Sequence, residues 1–243
     1  MTRIIIAGDS WGTHSYEKSY IHNDLEGFKW SPKKSYVLYP GPGHFLSELT
    51  TLEVITTADH GISNTEAFDN LNKIDYKNDI IVFYKTGLLR EVYKAYLNKK
   101  QIYSTKNCKE DFEYYSDIFY KRCSNIVAKY FCLIGGCVEI QTEQAKQYNI
   151  DVIEPSITKW MFPDFKDNDF DPTLYWLEYQ YAPHGYNSKR SCKHFKQGII
   201  QSHNKIQFWD NHPKMFCKKH PTVDSNRKIA KRIYDYLKDK NIL

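Results

Sequence analysis

The chain begins with a stretch that narrows its choice of fold at once: "RIIIAGDSWG", Arg3 to Gly12. Ile4, Ile5, Ile6 and Ala7 form a continuous apolar run with no polar alternation, the pattern of a strand buried on both faces of a parallel sheet. Such a sheet needs helices on both sides, so the fold class follows from these few residues: α/β with covered faces. Gly8 ends the run. Gly, Asp and Ser each favour turns for local reasons, and open α/β sheets place their chemistry at the carboxyl ends of strands. Ser10 is therefore the first candidate for a reactive group, with Asp9 read as a carboxylate that caps the turn or the helix after it.

The same rhythm recurs downstream. "LEVITT" (52–57) reads as a second strand, "NDIIVFYKTG" carries a third from Ile80 to Tyr84, "KYFCLIGG" (129–136) a fourth and "NIDVIEP" (149–155) a fifth. Helical spacing appears in "HFLSELTTL", in the segment opened by Asn64 as N-cap, in "LLREVYKAYL" and over residues 111–129. A closing helix follows "HPT", with Thr222 as N-cap and Ile229, Ile233 and Leu237 on its apolar face. The expected fold is a three-layer α/β sandwich around a five-stranded parallel sheet, in one domain spanning 1–243. A loop insertion is expected near 12–42, and near 160–216 an aromatic-rich insertion that serves as its own core or as a sugar-stacking surface.

Composition limits the partners. At 243 residues the chain is long enough for one sizeable core, and a net charge of +5, much of it near the carboxyl end, is too weak by itself to call for a nucleic acid. No apolar run approaches the length of a membrane span, and Met1-Thr2 leads directly into the first core strand, so a cytoplasmic protein without a signal peptide is expected. Six cysteines in such a chain read as free thiols. Richness in Lys, Asn, Ile and Tyr fits an A+T-rich genome such as that of a phage or large virus.

A serine nucleophile needs a base within hydrogen-bond reach and donors aimed at the oxyanion it creates. His220, in "KKHPT" just before the last helix, stands where the chain returns to the sheet. Gly61, after the second strand, can bring a backbone N–H close to a substrate because it has no side chain. With "GDSWG" at 8–12, "GISN" at 61–64, "GG" at 135–136 and "HPTVDSNRKIAKRI" at 220–233, the chain resembles the SGNH (GDSL-type) hydrolases, most of all the SGNH-like proteins of phage and large-virus genomes. The resemblance implies a flavodoxin-like sheet and a carboxylic ester hydrolase that needs no cofactor or metal. It assigns Ser10 as nucleophile and amide donor, Gly61 as second donor and His220 as base.

The chain departs from the family pattern at two places. The family's asparagine after the third strand is missing, and Thr86 is the nearest polar residue by position. Where the family has Asp, three residues before the base, stands Cys217; Asp210 in "FWDNHP" is the nearest upstream carboxylate, and without it His220 forms a Ser-His dyad. A second alignment uses "DNHP", with His212 as base beside Asp210. Trp11 and Asn64 are candidate substrate-binding residues, and His14 and His60 read as ordinary partly buried histidines near the site. Cys192, His194, His212, Cys217 and His220 lack the paired C-x2-C spacing of a zinc site, so no metal is expected. The expected function is acyl esterase or carbohydrate O-deacetylase chemistry on a small-molecule or glycan ester. The alternatives are a degenerate SGNH domain serving as a glycan-binding or virion-associated module, and a nucleic-acid-associated protein using the basic carboxyl-terminal face.

Overall fold

The computed structural model describes residues 2–18, 36–60, 62–88, 91, 105–136, 140–161, 216–217 and 220–243. In chain order the elements are β1 (Arg3–Gly8), a 3-10 turn (Ser10–Gly12), β2 (His14–Lys18), β3 (Tyr36–Pro40), α1 (Pro42–Ser47), β4 (Glu53–Thr56), α2 (Asn64–Leu71) and β5 (Ile80–Lys85). There follow α3 (Thr105–Ser124), β6 (Tyr130–Gly135), α4 (Thr142–Gln147), β7 (Asp151–Ile153), α5 (Ile157–Met161), β8 (Phe216–Cys217), β9 (His220–Pro221) and α6 (Val223–Asp239).

Five strands pair in parallel in the order β4-β1-β5-β6-β7. Ile4 lies between Val54 and Ile80, and Ile6 between Thr56 and Val82, so the isoleucine run occupies the centre of the sheet. Alternate residues serve opposite faces. Ile4, Ile6, Val82 and Tyr84 join one core with α1, α5 and α6, whereas Ile5, Ala7, Ile81 and Phe83 join another with α2, α3 and α4. The result is a three-layer α/β sandwich, as the continuous apolar strands require. The chain runs outward from β1 to β4, then crosses back to β5 on the other side of β1. The carboxyl ends of β1 and β5 are thus the topological switch point, where a doubly wound sheet opens a crevice.

Three details differ from the sequence reading. The ends of the 12–42 stretch, expected to be loop, pair as an antiparallel ladder running from His14 against Pro40 to Lys18 against Tyr36. Helix α3 begins at Thr105 and ends at Ser124, where 111–129 was expected; Ser124 and Asn125 end it, and Ile126 and Ala128 still pack on the core without being helical. Helices α4 and α5 were not anticipated, being too short to show a period. The helix expected at 88–97 lies, except for Leu88 and Glu91, outside the described residues, as does most of the aromatic stretch at 160–216.

Candidate active site

Gly8 explains the abrupt end of the apolar run. Its φ is +112°, and a Cβ there would stand 2.1 Å from the carbonyl oxygen of Tyr84. Only glycine permits both the conformation and the approach of the two backbones. The chain then turns sharply: the Asp9 N–H donates to the Tyr84 carbonyl (3.2 Å), and the Asp9 carboxylate accepts from the Trp11 N–H (3.0 Å). Asp9 is thus the turn cap that the sequence suggested. Thr13 closes the turn from the far side, its hydroxyl donating to the Ser10 carbonyl at 2.8 Å.

This turn presents Ser10, only 6% exposed, to a histidine 210 residues away: Ser10 Oγ lies 2.7 Å from His220 Nε2. With the imidazole proton on Nδ1, Oγ–H donates to the Nε2 lone pair, the arrangement needed for deprotonation of the hydroxyl. His220 is held by its neighbours in the chain. Strand β9 pairs back on β8, with His220 opposite Cys217 and Pro221 opposite Phe216. Thr222 then caps α6, accepting from the Ser225 N–H. One turn into that helix, Asn226 is fully buried and its amide donates to Ser15 Oγ at 3.0 Å, fastening α6 to β2 just beyond the serine turn. Ser15 Oγ in turn donates to the Pro40 carbonyl (2.6 Å). Sequence reasoning missed Asn226 and Thr13. The signal for Asn226 was available, since it falls on the stripe of Ile229, Ile233 and Leu237, where a polar side chain needs a partner.

Asn64 is not an N-cap. That role belongs to Ser63, which exchanges side-chain and backbone hydrogen bonds with Glu66 in a capping box, a Ser-x-x-Glu spacing present in the sequence. Asn64, the next residue, reaches across to the exit of β5: its Nδ2 donates to the Thr86 carbonyl (3.1 Å), and its Oδ1 accepts from the Thr86 N–H (2.9 Å). Trp11 is 3% exposed and packs on Gly136, where a Cβ would come within 2.8 Å of the indole; the glycine directly after β6 makes room for that ring. Gly61, Asp210 and His212 lie outside the described residues.

Beside the serine turn, His14 Nδ1 and His60 Nε2 are 3.1 Å apart, with ring planes at 12° and centroids 5.2 Å apart. The two nitrogens are within hydrogen-bond distance of each other. His60 Nε2 also lies 3.4 Å from Thr13 Oγ1. Among the described residues no three His, Cys, Asp or Glu side chains converge as metal ligands, and no helix is long and apolar enough to cross a membrane. No protein-family model, curated protein or solved structure matches the chain.

Proposed function

We propose that the chain is a serine hydrolase of the SGNH kind, cleaving a carboxylic ester through an acyl-enzyme on Ser10. The observation that supports this most is the 2.7 Å contact of Ser10 Oγ with His220 Nε2 at the switch point of the sheet. The residues are 210 apart in sequence, and each is placed by its own capped turn. Ser10 Oγ attacks the ester carbonyl as its proton passes to His220. The negative charge that develops on the carbonyl oxygen is met by the Ser10 N–H, which has no acceptor among the described residues, and by the Gly61 N–H. Collapse releases the alcohol, which takes the proton from His220, and water activated by the same imidazole then frees the acid. Asp210 is the proposed orienting carboxylate. O-acetylated carbohydrates, small acyl esters and lipids all suit this chemistry.

Labelling with a fluorophosphonate probe tests the reading. Wild type is expected to label, whereas Ser10→Ala and His220→Ala are not. A folded wild type that stays unlabelled alongside a reactive control esterase would refute it and favour the non-catalytic module.

A further inference from the structure

We infer that Asn64 is a positioning residue that makes the Thr86 hydroxyl an oxyanion donor, filling the place of the asparagine this chain lacks. The inference rests on Ser10 being the nucleophile. Strands β1 and β5 are paired up to Gly8 and Tyr84, and Ser10 and Thr86 each stand two residues further along. The hydrogen bond from Asp9 N–H to the Tyr84 carbonyl ties the two exits together.

At Thr86 the backbone has no donor to give. Its N–H is held by Asn64 Oδ1 and its carbonyl by Asn64 Nδ2, and both residues are 2% exposed. The remaining polar group of Thr86 is its hydroxyl, which makes no hydrogen bond among the described residues. A hydroxyl without a partner among the described residues, on a side chain 2% exposed and at the same distance along its strand exit as Ser10, is available to an oxygen that comes and goes.

Further contacts stiffen the clamp. The Ser63 capping box fixes the start of α2, and the Thr65 N–H donates to Glu91 Oε1 at 2.8 Å, so a second carboxylate joins the same helix end to the segment beyond β5. With its peptide groups held from both sides, Thr86 has a fixed backbone, and only its side-chain torsion is left to aim the hydroxyl. During attack the Ser10 Oγ–carbon bond forms, the Ser10 proton moves to His220, and the carbonyl π pair moves to oxygen. The Thr86 O–H donates to that oxygen and keeps its proton.

The test measures the saturation kinetics of fluorophosphonate labelling on the full chain, separating probe affinity from the maximal rate. Thr86→Val, nearly isosteric, is expected to slow the maximal rate about 100-fold with little change in affinity or melting temperature. Thr86→Ser is expected to recover most of that rate. Asn64→Ala slows labelling by itself but adds little in the Thr86→Val background, because it acts through Thr86; Asn64→Asp replaces it if the alanine variant does not fold. Labelling of Thr86→Val at the wild-type rate, or independent multiplication of the two losses, overturns the inference while leaving Ser10 as nucleophile. An unlabelled wild type overturns both.

Discussion

Gly8 shows how much of this site depends on one missing carbon. A methyl group at that position would collide with the Tyr84 backbone carbonyl at the last pair of the β1–β5 ladder, where both backbones are held by the sheet. Gly8→Ala is therefore expected to cost about 3 kcal/mol, from strain at positive φ and displacement of β1 from β5. Ser10→Ala should stay within about 1 kcal/mol of wild type, losing one hydrogen bond. Urea denaturation of the two variants measures the contrast, and equal midpoints would contradict it. The buried thiols of Cys123 and Cys132 supply a second check. Burial pushes both well above the ordinary thiol range, so alkylation at mildly alkaline pH should leave both unmodified in the native protein and modify both in urea, read peptide by peptide in a mass spectrometer. Serine and histidine were legible as single residues because each adjoins a strong local signal, the end of an apolar run and a helix cap. Asn64 was misread because two adjacent residues can both cap a helix. The position of Glu66, three beyond Ser63, decides between them.

Among the elements, the long apolar strands and the last helix could be read from sequence, because full burial gives unbroken runs and a solvent-facing helix gives a clear period. The β2–β3 ladder was hidden. Its strands are far apart in sequence and carry no tight-turn signature, so their pairing is a tertiary fact. That ladder matters to the site, since Asn226 reaches it from α6. His220 stands at the entrance of the helix and the ladder follows directly from the Ser10 turn, so the contact of Asn226 with Ser15 ties the element that follows His220 to the one that follows Ser10. Asn226→Ala should cost about 1 kcal/mol, the loss of its hydrogen bond to Ser15, whose hydroxyl keeps its own bond to the Pro40 carbonyl. In protein that is still folded, it should also slow fluorophosphonate labelling. Thr222→Ala, which removes the cap and the hydroxyl contact with Ser225 Oγ, is expected to cost about 1 kcal/mol. If Asn226→Ala lowers the melting temperature yet labels at the wild-type rate, α6 supports the fold without tuning the site.

Across the whole molecule, the parallel sheet holds the Ser10–His220 pair at one end and an ion pair at the other. Every strand ends toward the Ser10 side, and the opposite edge, where the strands begin, is fastened by Arg3 and Asp79. The Asp79 carboxylate, nearly buried, accepts from the Arg3 backbone N–H (2.8 Å), from Nε (3.1 Å) and from Nη2 (2.6 Å), joining the first residue of β1 to the residue just before β5. Burial alone would raise the Asp79 carboxyl, but hydrogen bonds from the Arg3 side chain and backbone, with the guanidinium charge, overcome it and hold the group below its ordinary value. The sign of the linkage follows. A carboxyl depressed in the folded state contributes stability at pH above its unfolded value of about 3.9, and loses it as the pH falls through the lower folded value. Asp79→Asn should therefore be less stable than wild type at pH 7, by about 1–2 kcal/mol once the partial exposure of Arg3 is allowed for. The difference should shrink as the pH drops below about 4. Urea unfolding of both proteins from pH 7 down to pH 3 measures it, and a constant difference across that range would contradict the assignment. Because this clasp lies at the end of the sheet away from Ser10, the folded variant should label with fluorophosphonate at the wild-type rate, unlike Asn226→Ala.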